Sequence, residues 1–470
     1  MTMMKDETSR ETHLRKGRQT VRLGLLKVIH DLFPEEKLKT SYSILEGVFC
    51  NLYGSVLSVR EVRLISEKLH EWASKDNPIE FIEKKNGYFY YQVGDIIVQA
   101  IYPAYTSTSE IEPFNIIPFS YGFIVDFEDP ETRSGKAHVS PYLLSQTFQK
   151  YQHWLDNIDI EVISDINYFI DAGHSQEVLR ISEALHEKEI SDIADKILHE
   201  RRSLRVLLVS GPSSSGKTSF AQRLSTQLKV NGLKPVDLSL DDYYVDRVKT
   251  PLDEEGNFDF ECLEALDLEL LHEHIAKLAN GEQVESPLFD FSTGTRKKET
   301  KTLKVGQQEI LLIEGIHALN PDLLGDINRS SVFKIYVSAL GGVNIDLISR
   351  IPTTEIRLIR RMVRDDRTRG LEPEETLKHW ANVRKGEYRY IFAFQEEADV
   401  MFNSSLLYEL NVLRPHAEKC LAKIKDDSIY YETKERLLNL LTFFKPMEDV
   451  KVPFNSIIRE FIGDSIYFGK

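Results

Sequence analysis

The chain has 470 residues, of which 41% are hydrophobic and 28% are charged, and its formal net charge is −15. This length exceeds one ordinary core and predicts about two to four domains, and the composition excludes a disordered chain. The negative charge argues against a protein that coats nucleic acid, because that function needs a positive surface.

Three cysteines, Cys50, Cys262 and Cys420, lie far apart and form no C-x-x-C motif, which is typical of a reducing compartment. No apolar run approaches the length of a membrane span, and the N-terminus is charged rather than signal-like. We therefore expect a cytoplasmic protein that makes no membrane contact.

Residues 1–20 are mostly polar, and we expect them to be disordered. From Val21 the apolar residues recur at helical spacing, and this pattern stops at Pro34. Ser58 and Glu61 have the spacing of a capping box that opens a second helix.

Asn86-Gly87 separates two runs rich in β-forming residues and predicts a hairpin turn. Together with the helices, this hairpin indicates an α+β domain over residues 21–134. The apolar spacing that follows is helical, so we assign residues 135–204 to a helical connector.

From Arg205 onward, apolar runs alternate with helical patterns. The candidate strands are "RVLLVSG", "PVDLSLDD", "EILLIEG", "FKIYVSA" and "ADVMFNSS". This alternation predicts an α/β fold, a mainly parallel sheet with helices on both faces. We assign residues 205–415 to it and residues 416–470 to a helical C-terminal tail.

The stretch "GPSSSGKT" satisfies G-x-x-x-x-G-K-[ST], with a predicted strand before it and a helix after it. Such a loop points backbone N–H groups at phosphates, and the helix N-terminus adds a positive dipole end. Lys217 is expected to reach the β- and γ-phosphates of ATP, and the Thr218 hydroxyl to ligate Mg²⁺. The predicted ATP-binding residues are Gly211, Pro212, Ser213, Ser214, Ser215, Gly216, Lys217, Thr218 and Ser219.

Acidic residues follow two of the candidate strands. Asp241 and Asp242 end the second strand, at the edge of the sheet where parallel α/β proteins keep their chemistry. A carboxylate there can accept the proton of an attacking hydroxyl; the alternative is a helix cap or loop carboxylate. Glu314 ends another buried run and is a candidate Mg²⁺ ligand; the alternative is a strand-end surface residue.

Four arginines recur at i, i+3, i+4 and i+7 in "TTEIRLIRRMVRDDRTRG", which places them on one helical face. Such a face can close over phosphates and neutralise the charge of the transferring group. The alternative is a solvated face paired with Asp365, Asp366 and Glu355. The four residues are Arg357, Arg360, Arg361 and Arg364.

Six segments carry a family resemblance. In chain order they are "GPSSSGKTS", "LDDYY", "GNFDFECLEALDLELL", "SPLFDFSTGTRK", "LLIEGIHAL" and "RLIRRMVRDDRTRG". The region from about 205 to 410 resembles the phosphoribulokinase/uridine kinase family of P-loop kinases. The resemblance implies ATP- and Mg²⁺-dependent transfer of the γ-phosphate to the 5′-hydroxyl of a nucleoside.

The resemblance also implies roles for single residues. Asp241 falls where uridine kinases keep their catalytic base, and Tyr244 and Asp259 fall where the ribose is held. Glu314 matches an acid associated with Mg²⁺. The arginines that match lid or substrate-contacting positions are Arg361, Arg364 and Arg369.

This chain departs from the family pattern at several positions. Uridine kinases usually have Tyr-Asp-Phe-x-x-His-x-Arg where this chain has residues 289–296. The first and last residues of this stretch, Phe289 and Arg296, are candidate substrate contacts. The histidine that reads the pyrimidine edge is replaced by Gly294. The arginine that follows the Arg-Gly of the lid is Leu371 here.

"LLKVIHDLFP" and "REVRLISEKLHEWA" resemble the second N-terminal domain of threonyl-tRNA synthetases, and a fusion of this kind occurs in bacterial uridine kinase-like proteins. That domain uses an H-x-x-x-H pair to edit mischarged tRNA. The corresponding positions are Leu23 and Lys27, so we expect no editing chemistry.

The first hypothesis is therefore a kinase of a small-molecule nucleoside such as uridine or cytidine, with ATP and Mg²⁺ as cofactors. One alternative is a nucleotide-switched protein that binds tRNA or the ribosome, with residues 1–134 as the one region left open for nucleic acid. A second is a kinase of another small hydroxylated metabolite. The sequence also leaves a homo-oligomer open.

Overall fold

The computed structural model of the chain covers both the N-terminal region and the region of the P-loop. The described residues are 2–44, 47–127, 141–253, 256–291, 293–325 and 328–468. The boundary expected between residues 134 and 135 lies outside them. Within these ranges, none of the helices has the length and apolar character needed to cross a membrane.

The first part of the chain is α+β and contains two antiparallel sheets. Its elements are α1 (Thr2–Leu32), β1 (Leu38–Ile44), β2 (Gly47–Leu52), α2 (Val59–Ser74), β3 (Ile79–Lys85), β4 (Tyr88–Val93), β5 (Ile96–Ala100), β6 (Asn115–Phe119) and β7 (Gly122–Asp126). Four strands pair in the order β1-β2-β7-β6, and the other three in the order β3-β4-β5. The predicted α+β architecture is confirmed.

Two local signals of the sequence act as expected. The Ser58 hydroxyl accepts a hydrogen bond from the Glu61 N–H, and the Glu61 carboxylate accepts one from the Ser58 N–H at 2.7 Å, which completes the capping box of α2. Asn86 and Gly87 have φ angles of 52° and 83° in the turn between β3 and β4. Both central residues of such a tight hairpin turn adopt positive φ, which Asn and Gly tolerate best.

The expectation of disorder over residues 1–20 is wrong, because α1 begins at Thr2 and runs through this segment. The hydroxyl of Thr20, which is fully buried, accepts a hydrogen bond from the Tyr105 N–H. Farther back, the Arg15 guanidinium pairs with the Glu355 carboxylate at 2.6 Å. Contacts with distant segments therefore order a helix whose own sequence is too polar to predict one.

Leu23 and Lys27, the two positions where no editing histidine was expected, are both engaged in packing or pairing. Leu23 is fully buried in a cluster with residues of β4 and β5. The Lys27 ammonium lies 2.9 Å from the Asp95 carboxylate. Neither side chain is placed to ligate a metal ion.

The described part of the connector consists of three helices, α3 (Tyr142–Asn157), α4 (Ile163–Asp171) and α5 (Ser175–Glu200). Helix α5 lies beside the helix that follows the P-loop, where Arg223 pairs with Glu187 at 2.7 Å. The Ile163 N–H donates to the carbonyl of Asn344 at 2.8 Å. The connector is thus packed onto the P-loop half of the chain.

The remainder of the chain is built around one parallel sheet. Its elements are β8 (Val206–Ser210), α6 (Lys217–Val230), β9 (Lys234–Ser239), α7 (Leu268–Ala279), β10 (Gln283–Ser286), β11 (Phe289–Asp290), β12 (Thr295–Arg296), β13 (Lys301–Lys304), β14 (Glu309–Glu314), β15 (Val332–Ser338), α8 (Thr353–Arg364), α9 (Pro373–Gly386), β16 (Val400–Asn403), α10 (Glu409–Leu421), α11 (Tyr431–Leu441) and α12 (Arg459–Ile462).

The five predicted strands form this sheet, in the order β16-β15-β8-β14-β9 with every pair parallel. Alternate residues of β8 enter different hydrophobic clusters: Leu207 and Val209 one, and Val206 and Leu208 the other. Both faces of the sheet are therefore covered, as expected for a parallel α/β fold. The fold class predicted from the sequence is confirmed.

One detail of the sheet differs from expectation. Strand β9 ends at Ser239, and residues 240–243 form a short 3₁₀ helix instead of continuing the strand. The alternation of a strand therefore does not apply to Asp241 and Asp242. The contacts of this turn determine the surroundings of the two aspartates.

The N-terminal region and the P-loop half are joined by a buried charge cluster. Glu355, at the start of α8, is only 1% exposed and pairs with both Arg15 of α1 and Arg436 of α11. Burial alone would raise the pKa of Glu355, but Arg436 and Arg15 outweigh it and hold the pKa below its usual range. The carboxylate thus stays charged and holds three segments together.

We expect Glu355→Ala to lower the free energy of unfolding by about 3 to 5 kcal/mol, because it leaves two guanidiniums without their shared partner. Chemical denaturation of the full chain measures this loss. Glu435→Ala, at an exposed position on α11, is the matched control and should change stability by no more than about 0.5 kcal/mol. Equal stability of both variants would contradict the stabilising role of this buried charge cluster.

Candidate active site

The P-loop connects β8 to α6 at the carboxyl edge of the sheet. Gly216 is the residue before α6 and has a φ of 81°, a conformation that glycine adopts without strain. The turn aims the first N–H groups of α6 and the positive end of its dipole into the loop. The predicted ATP-binding residues, Gly211, Pro212, Ser213, Ser214, Ser215, Gly216, Lys217, Thr218 and Ser219, lie in this loop and the first turn of α6.

The Lys217 side chain lies in the loop and is only 9% exposed. Among the described residues, its ammonium makes no hydrogen bond or ion pair. It is close enough to Glu314 and Glu261 to oppose the rise in the pKa of both carboxyls. A nearly buried cation without a bound partner suits a phosphate ligand.

Thr218 and Glu314, the two predicted metal ligands, lie side by side. The Thr218 hydroxyl donates to the two Glu314 oxygens at 3.2 and 3.3 Å. Burial is the main cause of the raised pKa of Glu314, and the neighbouring Asp241 and Glu460 carboxylates add to it. A hydroxyl and a carboxylate are oxygen donors that fit Mg²⁺.

The two aspartates after β9 have different surroundings. The Asp242 carboxylate accepts a hydrogen bond from the Phe289 N–H at 3.1 Å, and burial raises its pKa. In the part of the chain that the structure describes, the Asp241 carboxylate makes no hydrogen bond or ion pair. It lies near Glu314, whose pKa it raises. Asp241 is thus the aspartate left available to a ligand.

The arginines of α8 do not act as one face, contrary to the expectation from their spacing. Arg357 and Arg360 are at most 1% exposed, and they pair with Glu387 and Glu409. The Arg357 guanidinium also donates to the carbonyl of Ser213 at 3.1 Å. These two arginines support the P-loop through its backbone carbonyls.

Three further predicted lid arginines, two from α8 and one from the segment after it, gather around one buried aspartate. Arg361, Arg364 and Arg369 lie 3.3, 2.8 and 3.6 Å from Asp365. Burial opposes ionisation of Asp365, but these guanidiniums outweigh it and hold its pKa below the usual range. Arg361 also donates to the hydroxyl of Ser213 at 2.8 Å. Within this trio, Arg361 contacts the P-loop, and Arg364 and Arg369 are linked to it through Asp365.

An aromatic cluster lies next to Asp241. The ring of Tyr244 is 5.8 Å from that of Phe289 and 6.1 Å from that of Phe291. The Arg369 guanidinium lies 5.0 Å from the centre of the Phe291 ring. Tyr244 and Arg369 are both close enough to Asp241 to feel its charge, so this cluster lies near that carboxylate.

Two predicted substrate contacts are engaged with the protein itself. The Arg296 guanidinium pairs with Asp267 at 3.0 Å and donates to the carbonyls of Tyr243 and Tyr244. The Asp259 carboxylate accepts from the N–H groups of Glu261 and Cys262 at 3.0 and 3.2 Å. Both side chains therefore fix loops of the protein itself.

Gly294, where the family has its base-reading histidine, is packed against an arginine. A Cβ at this position would lie 2.7 Å from Nε of Arg247, and the φ of Gly294 is 69°. The Arg247 N–H donates to the Gly294 carbonyl at 2.8 Å, and its guanidinium donates to the Phe291 carbonyl. A guanidinium therefore fills the space beside residue 294.

Several site residues were not predicted from the sequence. Phe291 could have been found, because it stands two residues after Phe289 in a quoted motif. Glu387, Glu409 and Glu460 belong to no motif. The fold brings Glu387 and Glu460 to N–H groups of Ser213 and Ser219, and it brings Glu409 to Arg360, which contacts the loop.

Comparisons with known proteins agree with this geometry. Residues 206–407 match the Phosphoribulokinase / Uridine kinase family. A uridine kinase of Mycoplasma genitalium is 32% identical over 197 residues, which cover 42% of this chain and 83% of that protein. This chain belongs to the phosphoribulokinase/uridine kinase family.

Another family member, a uridine kinase of Chloroflexus aurantiacus, is 29% identical over 198 residues, 42% of this chain and 85% of that protein. The solved structure of a D-glycerate 3-kinase from Cryptococcus neoformans covers 44% of this chain and 89% of its own, at 19% identity and a TM-score of 0.32. Membership of the phosphoribulokinase/uridine kinase family makes the chain a kinase-type phosphotransferase with a nucleotide-binding P-loop.

Glu261 provides a test of the site's electrostatics. Burial raises its pKa to about 7, with Arg361 opposing and Glu387 and Asp259 contributing. The folded protein thus holds this proton more tightly than the unfolded chain, so stability is lost as the pH rises from about 4.3 to 7.

We expect Glu261→Gln to stabilise the protein by about 1 to 3 kcal/mol at pH 8 and to change nothing at pH 4. Denaturation curves at both pH values measure the difference. Glu264→Gln, at an exposed neighbouring position, should behave as the unsubstituted protein at both. A gain for Glu261→Gln that does not depend on pH would show that this carboxyl is not the perturbed group.

Proposed function

We propose that residues 205–415 transfer the γ-phosphate of ATP to the 5′-hydroxyl of a nucleoside such as uridine or cytidine. The observation that carries the proposal is the Asp241 carboxylate, which lies beside Glu314 and is without a bonded partner among the described residues. A nucleotide switch needs no proton acceptor for a substrate hydroxyl, whereas a kinase benefits from one.

The proposed roles follow from these positions. Lys217 neutralises charge on the β- and γ-phosphates, and the N–H groups of the loop bind their oxygens. Asp241 orients the acceptor hydroxyl and accepts its proton. Arg361 contacts the loop, and Arg364 and Arg369 share Asp365 with Arg361, so that their charges can compensate the phosphoryl group during transfer.

Thr218 and Glu314 are the residues that would hold Mg²⁺, since their oxygens already lie together at the sheet edge. When bound, the ion neutralises phosphate charge and fixes the phosphate oxygens. Both ligand atoms are supplied by buried elements, the first turn of α6 and the end of β14, so their positions do not depend on the acceptor.

The proposed acceptor pocket is the space between Asp241 and the wall of Tyr244, Phe289 and Phe291. Aromatic walls suit a planar base, and the relatives named above are uridine kinases. Arg247 favours the second candidate, a kinase of another small hydroxylated metabolite, because a guanidinium beside Gly294 suits an acceptor with an anionic or carbonyl edge.

For the N-terminal region we propose a likeness to the second N-terminal domain of threonyl-tRNA synthetases without its editing chemistry. Its support is Leu23 in the core and Lys27 in an ion pair, where the synthetases have histidines. Deacylation of a mischarged tRNA by the full chain would contradict this proposal.

The experiment that tests the kinase proposal is a measurement of ADP formation by the purified full chain against a panel of nucleosides and small hydroxylated metabolites. We expect acceptor-dependent turnover, and we expect it to be lost in Lys217→Ala together with tight ATP binding, because the charge on the phosphates is removed. ATP hydrolysis that no acceptor stimulates would favour the nucleotide switch.

The paired variants Asp241→Asn and Asp242→Asn test the assigned base. Asp241→Asn keeps the shape and removes the proton acceptor, so kcat should fall roughly 10²- to 10⁴-fold with ATP affinity nearly unchanged. Asp242→Asn retains an oxygen for the Phe289 N–H and should alter mainly the KM of the acceptor. Equal effects on kcat, or a larger effect of Asp242→Asn, would show that Asp241 is not the base.

A further inference from the structure

The C-terminal end of the chain returns to the P-loop. We call residues 452–462 the C-terminal strap. Apart from Pro453 and Phe454, its apolar side chains are buried. Ile457 is packed so closely on the loop that a Cβ on Gly216 would lie 2.5 Å from its Cγ2. The Arg360 guanidinium lies 5.0 Å from the centre of the Phe461 ring. The buried apolar residues of the strap are Val452, Ile457, Ile458, Phe461 and Ile462.

An arginine inside the strap fixes its shape. The Arg459 side chain is 3% exposed, and its Nη2 donates to the carbonyls of Asp449 and Val452, both at 2.7 Å. The strap therefore has a defined conformation on the loop.

The next residue of the strap, Glu460, reaches the first turn of α6. Its Oε2 accepts hydrogen bonds from the Ser219 N–H at 3.2 Å and from the Ser219 hydroxyl at 2.7 Å. Ser219 is fully buried. The carboxylate is also close enough to Glu314 to raise the pKa of that residue.

The two donors of Ser219 belong to the set that a P-loop offers to phosphate. The first N–H groups of the helix after such a loop have no partner within the helix and bind the α- and β-phosphates of a nucleotide. In this structure a carboxylate takes both donors of Ser219. A phosphate oxygen and the Glu460 carboxylate cannot share them, because both are anionic acceptors of the same hydrogens.

We propose that Glu460 is a nucleotide-site residue that competes with the incoming phosphates for Ser219 and thereby sets the affinity for nucleotide. This inference rests on the proposed function, in which the loop binds ATP. Nucleotide binding then requires the Glu460 carboxylate to leave Ser219, and the strap is anchored to the loop more weakly while nucleotide is bound.

The proposal is distinct from a purely structural role for the same contact. A carboxylate at a helix N-terminus stabilises the helix whether or not the site is used. A structural role predicts lower thermal stability on substitution with no gain in nucleotide affinity. Competition predicts tighter nucleotide binding, because the competing anion has been removed.

The first experiment measures the Kd of Mg²⁺·ATP and Mg²⁺·ADP by calorimetry on the full chain. We expect Glu460→Gln and Glu460→Ala each to bind both nucleotides about tenfold more tightly, since a hydrogen bond to a charged group is no longer opposed. Glu448→Gln, an exposed glutamate of the same region, should bind as the unsubstituted chain does. Equal or weaker binding by the Glu460 variants would overturn the proposal.

Lys217→Ala separates this inference from the proposed function. If the unsubstituted chain binds ATP and Lys217→Ala does not, the proposed function holds, and the Glu460 variants alone decide about competition. If neither the unsubstituted chain nor any Glu460 variant binds ATP, the proposed function fails and the inference with it. Binding detected only in the Glu460 variants would support both.

A second measurement needs no variant. Hydrogen–deuterium exchange of the strap, followed by mass spectrometry with and without Mg²⁺·ATP, reports whether nucleotide loosens it. We expect faster exchange in residues 452–462 when nucleotide is bound, because the anchor on Ser219 is released. Slower exchange would show that nucleotide closes the strap, which contradicts competition.

Discussion

Two buried guanidinium–carboxylate pairs hold the P-loop in place, and the rest of the site depends on them. Arg357 pairs with Glu387, Arg360 pairs with Glu409, and each arginine also donates to a carbonyl of the loop. Breaking such a pair leaves a charge buried without a partner, which costs about 3 to 5 kcal/mol. The loop is thus supported by buried charges that pair with one another.

The arginines of this region have different partners, and this difference explains how a chain with net charge −15 builds a site for an anion. The inner arginines neutralise buried glutamates, and Arg361, Arg364 and Arg369 share a single aspartate, so positive charge is left over beside the loop. Lys217 adds a cation without a bonded partner among the described residues. Positive side chains therefore gather at the loop although the whole chain is negative.

The parallel sheet and the P-loop could both be predicted from the sequence, because each depends on a local pattern. Apolar runs that alternate with helical patterns predict the sheet, and a glycine-rich turn between strand and helix predicts the loop. It could not sort the arginines of α8, because the partners that bury Arg357 and Arg360 lie about 30 and 49 residues further along the chain. The short 3₁₀ helix at Asp241 carries the Asp242 contact with Phe289, which lies 47 residues further along the chain. Glu460 reaches Ser219 across 241 residues, a pairing that no local pattern contains.

We propose above all that the site moves a phosphoryl group to a hydroxyl. Incubation of the full chain with ATP labelled in its γ-phosphate, in the presence of an acceptor that stimulates ADP formation, tests this most directly. We expect label in an organic phosphate monoester, formed in equal amount to ADP. Label found only in inorganic phosphate would contradict it.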